Sequence, residues 1–238
     1  MVSLEKIENS TNVNRLLAGL TRRDREKVLA DCTRVTLTSG MVLVEAGHPM
    51  AQVYFPTGCT ICLTTPTESG TQLGVSLIGN EGMLGSTLTT GVASLLVQAS
   101  VQEGGEAWRI SRNKFLLLLV ALPTLRRRIS SYLHLTLDYL IRKPTCCQFH
   151  LLEARLAYWL LMMHDRVDEN VFELTHQMLA DLLGVRRVGI TLAARALQSR
   201  GLISYRRGYI TILDRDALIA AACSCYGVTE TAYERLLG

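Results

Sequence analysis

A chain of 238 residues, of which 48% are hydrophobic and 19% charged, is long enough for one large domain or two small ones and is too apolar to be disordered. The longest apolar run, residues 115–122, is far shorter than the roughly 20 residues that cross a bilayer, so we expect no membrane contact. Residues 1–12 lack the apolar core of a signal peptide, and the seven cysteines form no repeated framework. These features predict a cytoplasmic protein with reduced thiols.

Charge is distributed unevenly along the sequence. Residues 35–107 contain five Glu and no Lys or Arg, whereas the residues from Trp108 onward contain 18 basic and 11 acidic side chains. The first segment therefore carries a net charge of −5 and the second a net charge of +7. This asymmetry predicts separate domains with separate partners, nucleic acid being the partner of the C-terminal part.

The N-terminal half predicts a helix followed by a β domain. Residues 10–31 have apolar side chains at helical spacing, and short β-rich runs separated by glycines follow as far as residue 110. The predicted strands are 35–37, 42–44, 53–55, 61–64, 73–78, 95–102 and 107–110. Strands at this spacing indicate an antiparallel β-barrel or jelly roll, so the predicted fold class is α+β.

Helical periodicity returns in the middle of the chain. Residues 115–122 predict a short helix, and Pro123 suits the first position of a long helix ending near Arg142, with a kink or break at Pro144. The long helix carries an apolar stripe that packs either on its own domain or on a second copy of the chain, and we favour the homodimer. The predicted dimer residues are Leu125, Ile129, Leu133 and Leu140.

Residues 172–213 predict two helices, a tight turn and a hairpin. Thr175 can cap a first helix that ends at Gly184, and a second helix spans about residues 187–199. The hairpin that follows, residues 202–213, turns at an Arg-Arg-Gly sequence. This is the pattern of a winged helix-turn-helix, which lays its second helix in the major groove of DNA.

The charge of this segment agrees with DNA binding. Residues 174–213 contain six Arg and one Asp, a net charge of +5, and the arginines lie at the second helix and at the tip of the wing. The alternative is that these arginines form the solvated face of an ordinary helical domain. Such a domain does not require arginines both at the second helix and at the wing tip, where a winged helix-turn-helix contacts phosphates. The predicted DNA-binding residues are Thr175, Gln177, Arg186, Arg187, Val188, Thr191, Arg195, Arg206 and Arg207.

The order of these elements resembles that of the Crp–Fnr family of bacterial transcription regulators. Residues 174–203 are similar to the family's helix-turn-helix signature, GNEGMLG at 79–85 to the glycine-rich turn of its effector domain, and VYFPTGCTICL at 53–63 to its early strands. The resemblance covers about residues 15–215. It implies a dimeric transcription regulator that binds an inverted repeat in double-stranded DNA and contacts RNA polymerase.

The resemblance also implies a division of the chain into three parts. Residues 10–122 correspond to a cyclic-nucleotide-binding-like β-roll effector domain, and residues 123–149 to a dimerisation and linker helix. Residues 150–238 correspond to the winged helix-turn-helix domain.

The effector domain departs from the family members that bind cyclic AMP. Those members clamp the cyclic phosphate with a Gly-Glu pair and a later Arg-Ser/Thr pair, where this sequence has Gly85-Ser86 and Leu95-Leu96-Val97. Holding a phosphate in a partly dry pocket without a paired cation is unfavourable, so we expect a degenerate sensor of unknown effector with no cofactor. The predicted effector-pocket residues are Gly82, Gly85, Ser86, Leu96, Val97 and Leu140.

The cysteines do not follow the pattern of the family's iron–sulfur oxygen sensors, which cluster three thiolates in the N-terminal tail. Only Cys32 precedes residue 59, and strand alternation places the side chains of Cys59-x-x-Cys62 on opposite faces. Cys146-Cys147 lies near the predicted hinge, and Cys223-x-Cys225 lies in an Ala-rich terminal helix. We therefore predict no metal site and leave open a redox role for these two pairs.

Functions of another class fit the sequence less well than DNA-binding regulation does. An enzyme is not expected, because the sequence contains no G-x-S-x-G, H-E-x-x-H or phosphate-loop motif. A cyclic-nucleotide- or redox-responsive module that acts through protein contacts stays the alternative, although the six arginines argue against it. The family's base-reading positions fall on Arg187, Val188 and Leu192, of which only Arg187 keeps the family's residue type.

Overall fold

The structure, a computed structural model, describes residues 13–68, 72–166 and 170–237. Its first described elements are two short helices, α1 (Arg15–Ala18) and α2 (Arg22–Ala30), in place of the single predicted helix, whose residues 10–12 lie outside the described ranges. Two helices form because two separate caps are present. Asn14 Oδ1 accepts a hydrogen bond from the Leu17 N–H, and Thr21 Oγ1 accepts one from the Asp24 N–H.

The β domain consists of two antiparallel sheets that do not close into a barrel. Its strands are β1 (Thr33–Leu37), β2 (Val42–Val44), β3 (Gln52–Pro56), β4 (Thr60–Pro66), β5 (Gln72–Ile78), β6 (Gln98–Glu103) and β7 (Gly105–Ser111). One sheet has the order β1-β7-β3 and the other the order β2-β6-β4-β5. A 3₁₀ helix at Ser86–Thr90 lies between β5 and β6. The predicted α+β class and antiparallel strands are confirmed.

The core of the β domain extends onto the helices that follow it. Phe55 of β3 packs edge-on against Phe115, at 6.3 Å between ring centroids, at the start of α3 (Arg112–Ala121). Leu125 and Ile129, on the long helix α4 (Pro123–Phe149), are 1% and 0% exposed in the same core. The assignment of these two residues to a dimer interface is therefore wrong, because the protein's own effector domain covers them.

The long helix does not end at residue 142 and is not broken at Pro144. It continues to Phe149, with His150 as its C-cap. Proline removes one backbone hydrogen bond, but neighbouring contacts hold the helix together across this point. Lys143 Nζ donates hydrogen bonds to the carbonyls of Gly74 and Val75 on β5, and Cys146 is buried.

The C-terminal part contains α5 (Leu152–His164), β8 (Val171–Glu173), α6 (His176–Leu183), α7 (Arg187–Ser199), β9 (Ile203–Arg206), β10 (Tyr209–Ile212), α8 (Arg215–Ala221) and α9 (Cys225–Leu237). The three strands form an antiparallel sheet in the order β8-β10-β9, and α5 packs against α7 and α8 in a second hydrophobic core. None of the described helices combines the length and hydropathy that crossing a bilayer requires.

The last helix, α9, packs back on the effector domain. Tyr233 and Leu237 belong to the first core, and the Tyr233 hydroxyl donates a 2.8 Å hydrogen bond to the Glu81 carbonyl. Arg128 of α4 donates a 2.7 Å hydrogen bond to the Leu237 carbonyl. The end of the chain is thereby fixed to both the effector domain and α4.

A buried ion pair also joins the two halves. Arg166, after α5, pairs with Glu81 of the effector domain at 3.0 Å, and both side chains are 11% exposed. The guanidinium also donates to the Met162 carbonyl, and Glu81 accepts the Gly79 N–H. Burial opposes the charge on Arg166, but the Glu81 and Asp165 carboxylates raise its pKa well above the ordinary value.

Candidate nucleic-acid interface

Helices α6 and α7 form a helix-turn-helix whose turn depends on one glycine. Thr175 Oγ1 accepts a 3.2 Å hydrogen bond from the Met178 N–H and caps α6, as predicted. Gly184 ends α6 with φ = 65°, a conformation that costs glycine little. The next residue closes the turn, because the Val185 N–H donates to the Ala180 carbonyl at 3.0 Å. The short turn fixes the angle at which α7 leaves α6.

Helix α7 has one buried face and one exposed face. Its buried residues, at helical spacing, are Ile190, Ala193, Ala194 and Leu197. The opposite face exposes Arg187, Val188, Leu192 and Arg195, and Val188 is 70% exposed although it is apolar. This face therefore has an arginine at each end and two apolar side chains between them. Such a face suits a helix that contacts phosphates, base edges and thymine methyl groups.

The wing is a tight two-residue hairpin. Arg206 of β9 pairs with Tyr209 of β10, and the two residues between them, Arg207 and Gly208, have φ values of 53° and 89°. Two positive φ values define a type I′ turn, whose twist matches that of the flanking strands. Arg207 is the one non-glycine residue in the described ranges with a positive φ, so the turn holds its backbone in a conformation that L residues disfavour. Its side chain is exposed at the tip of the wing.

His176 connects the three parts of the interface and was not predicted from the sequence. Its ring stacks on Tyr205 of the wing, at 4.0 Å between centroids, and its Nδ1 lies 3.0 Å from the hydroxyl oxygen of Thr191 on α7. Partial burial and the nearby Arg187 and Arg195 lower the pKa of His176 below its ordinary value. Its position directly after the capping threonine was the one available signal.

The remaining predicted residues lie around these elements. Arg186 is the exposed N-cap residue of α7. Gln177 is exposed, and its amide nitrogen donates a 2.8 Å hydrogen bond to Asp181. The structure thus brings the nine predicted DNA-binding residues together around α7, the start of α6 and the wing.

The predicted effector-pocket residues lie in different surroundings. Tyr132 of α4 packs so closely on Gly82 that no Cβ fits there, and α4 contacts the 3₁₀ helix that follows Gly85. Leu96 is 86% exposed, so it lines no enclosed pocket, which corrects its assignment. None of the six predicted residues lines either of two cavities that the described residues form elsewhere.

A cavity of about 100 Å³ lies instead between the effector domain and the helix-turn-helix. Its lining includes Leu73 of β5, Tyr139 of α4, Trp159 of α5, Leu182 of α6 and Thr229 of α9. Elements from both halves thus contribute to this cavity.

The fold also brings the Cys146-Cys147 pair close to the Cys223-x-Cys225 pair. Cys146, His150, Cys223 and Cys225 place one ligand atom each within 4.8 Å of one another. The Cys146 thiol, 3.7 Å from the Cys223 sulfur, lowers the pKa of Cys223 to about 6. We predicted no metal site because the cysteines do not follow the family's iron–sulfur pattern; the Cys-x-x-x-His spacing at 146–150 was a local signal for two of the four ligands.

Comparison with known proteins identifies the helix-turn-helix. A family model described as the Crp-like helix-turn-helix domain matches residues 154–221, while no curated protein sequence matches the chain. Three solved structures share the fold of most of the chain. FixK2 from Bradyrhizobium japonicum is 14% identical with a TM-score of 0.66, covering 81% of this chain and 98% of its own. A protein assigned to the Crp/Fnr regulators of Eubacterium rectale is 17% identical with a TM-score of 0.65, covering 87% and 96%.

The third structure is the c-di-GMP responsive global regulator CLP from Xanthomonas campestris, 18% identical with a TM-score of 0.60, covering 80% of this chain and 98% of its own. The matched family model identifies residues 154–221 as a Crp-like helix-turn-helix domain, and the solved structures show that the chain shares their fold.

Proposed function

We propose that the protein acts as a homodimer that reads an inverted repeat in double-stranded DNA through α7 and the wing. The observation that carries this proposal is the exposure of Arg187, Val188 and Arg195 on α7 and of Arg206 and Arg207 on the wing, two elements that His176 connects. We keep the division into an effector domain at 10–122, a linker helix at 123–149 and a DNA-binding domain at 150–238, with α9 packed back on the first. Contact with RNA polymerase remains a prediction from the family resemblance, and we propose no catalytic step.

The proposed dimer seam lies on the C-terminal half of α4. One face of this helix is buried in the effector domain, and another packs against α9. The third face carries the half-buried Leu133 and Leu140 and the exposed Leu137 and Ile141, which are 53% and 66% exposed. Positions 133, 137, 140 and 141 recur at the spacing of a coiled-coil seam, so a second copy of α4 is the occupant that this spacing fits.

A selection from random duplexes tests the mode of DNA recognition. A two-fold symmetric dimer should select an inverted repeat whose half-sites lie about one helical turn apart. Selection of a single, non-repeated half-site would contradict the proposed dimer on DNA.

The arginines of α7 and of the wing are expected to have different effects on binding. Arg187 opens α7, where it can contact a guanine with two hydrogen bonds, so Arg187→Ala should cost about 1–3 kcal/mol on the selected operator and relax one base pair per half-site. Replacing Arg206 and Arg207 together with Ala should weaken binding to every sequence and lower the salt slope by up to about 2, since two phosphate contacts are lost.

Fluorescence anisotropy on the operator and on a scrambled duplex, across a salt series, separates the two roles. Arg23→Ala, an exposed arginine on α2, is the matched control and should leave both affinities unchanged. A wing variant that lost only specificity, together with an Arg187→Ala variant that lost only general affinity, would reverse the two assignments.

The sensor domain is proposed to respond to an effector other than a simple cyclic nucleotide. Two cations that approach it from other elements are engaged, Arg166 with Glu81 and Lys143 with the carbonyls of Gly74 and Val75. The c-di-GMP responsive regulator of the same fold illustrates that this fold does not fix the effector.

We therefore expect no tight binding of cyclic AMP or cyclic GMP. Calorimetry with either nucleotide should show no saturable heat, because the sequence between residues 35 and 107 offers no cation to the phosphate. A dissociation constant below about 10 μM, equivalent to about −7 kcal/mol, would show that backbone amides suffice to hold the phosphate.

A further inference from the structure

Four potential metal ligands meet where α4 ends and α9 begins. Cys146 and His150 lie four residues apart, one on the last turn of α4 and the other at its C-cap, a spacing that puts both side chains on one face. Cys223 lies between α8 and α9, where its N–H donates a 3.2 Å hydrogen bond to the Ala154 carbonyl, and Cys225 is the first residue of α9.

The distances within this cluster fit a single tetrahedral ion. With Zn–S bonds of about 2.3 Å and a Zn–N bond of about 2.0–2.1 Å, tetrahedral geometry requires about 3.8 Å between two sulfurs and about 3.6 Å between sulfur and nitrogen. The Sγ atoms of Cys146 and Cys223 are 3.7 Å apart, and Cys225 Sγ lies 3.6 Å from His150 Nδ1. All four ligand atoms lie within 4.8 Å of one another.

A disulfide and an iron–sulfur cluster both fit the geometry less well than a single ion does. A disulfide would bring two sulfurs to about 2.05 Å, and all of the described cysteines are free thiols. An iron–sulfur cluster contains several iron and sulfide atoms, so its protein ligands must lie farther apart than the four ligand atoms of this site do.

The surroundings favour a closed site. Cys146 and Cys223 are buried, and His150 and Cys225 are half-buried, so little of the cluster meets solvent. Cys225 is the first residue of the 13-residue helix α9, whose N-terminal dipole stabilises a negative sulfur. Three thiolates and one imidazole form a ligand set typical of structural zinc.

We propose that Cys146, His150, Cys223 and Cys225 bind one zinc ion that fastens the hinge end of α4 to the start of α9. Binding forms three Zn–S bonds and one Zn–N bond and releases the three thiol protons to solvent. The ion closes a loop that contains α5, the helix-turn-helix, the wing and α8, so it fixes the DNA-binding part relative to the linker helix. This inference does not rest on the proposed DNA contacts, because metal content is measured without DNA.

The test begins with the full chain purified under reducing conditions without chelator. Elemental analysis should find about one zinc per chain, a content that Cys147→Ser should retain and that the double variant Cys223→Ser/Cys225→Ser should lose. Cys147 is the matched control because it is exposed and adjacent to Cys146 but lies outside the cluster; its sulfur is 3.5 Å from Arg155 Nη2.

A second measurement uses the wild-type chain, so that a misfolded variant does not decide the outcome. Replacing zinc with cobalt should give the intense visible bands of a tetrahedral Co²⁺ site together with sulfur charge-transfer absorption, and a strong chelator should lower the melting temperature. Zinc-free protein that gives no tetrahedral cobalt spectrum would overturn the proposal. So would a Cys146–Cys223 disulfide as the main form, bound iron in place of zinc, or loss of the metal in Cys147→Ser.

Discussion

Replacing Arg166 with Ala is expected to destabilise the folded chain by about 3–5 kcal/mol, because it leaves the Glu81 carboxylate buried without its partner. Both side chains are 11% exposed, and the pair joins the C-terminal half to the effector domain at 3.0 Å. Urea unfolding followed by tryptophan fluorescence measures the loss, and a separate early transition would show that the two halves come apart first.

Two further variants define the cause of this loss. Arg22→Ala removes the same side chain from an exposed ion pair with Glu26 and should change the free energy of unfolding by less than about 1 kcal/mol. The double variant Arg166→Met/Glu81→Gln removes both charges and should recover most of the loss. An Arg166→Ala variant as stable as Arg22→Ala would mean that water reaches the pair in solution.

Leu137→Glu is expected to convert the dimer into a monomer. A second copy of α4 would face this side chain across the seam, so the substitution buries two charges per dimer and should raise the dissociation constant at least about 100-fold, or about 2.7 kcal/mol. The fold of the single chain should not suffer, because Leu137 is half-exposed in it. Light scattering at micromolar concentration gives the mass, and thermal unfolding of the monomer reports its integrity.

Leu117→Glu is the control for this prediction. Leu117 is also an exposed leucine, on α3, outside the proposed seam, and its variant should remain dimeric. A wild-type chain that is monomeric under the same conditions, or a Leu137→Glu variant that is still dimeric, would show that the exposed face of α4 has another role.

Local sequence signals were sufficient for the helix-turn-helix. Thr175 and Gly184 set the two ends of α6 through a cap and a positive φ, and both effects involve only residues near in sequence. The wing was predictable for the same reason, because Arg207-Gly208 forms its turn from adjacent residues. The strands of the effector domain likewise follow from alternating apolar runs between glycines.

The errors concern contacts between distant parts of the chain. The apolar stripe on α4 gave no indication of which face would meet the effector domain, so Leu125 and Ile129 were assigned to a partner although the protein's own core covers them. The break at Pro144 was predicted from local geometry, but packing against β5 maintains the helix. The cluster of Cys146 and Cys223 arises from residues 77 positions apart, a proximity that no local pattern encodes.

Titration of DNA with the wild-type protein measures sequence-specific binding. The duplex recovered by selection and a scrambled duplex of the same composition are each titrated at several salt concentrations. We expect the selected duplex to bind about 10³-fold or more tighter than the scrambled one. Both affinities should fall linearly on a log–log plot against salt, because phosphate contacts displace cations. Equal affinities for the two duplexes, or an affinity that does not change with salt, would contradict a sequence-specific DNA-binding regulator.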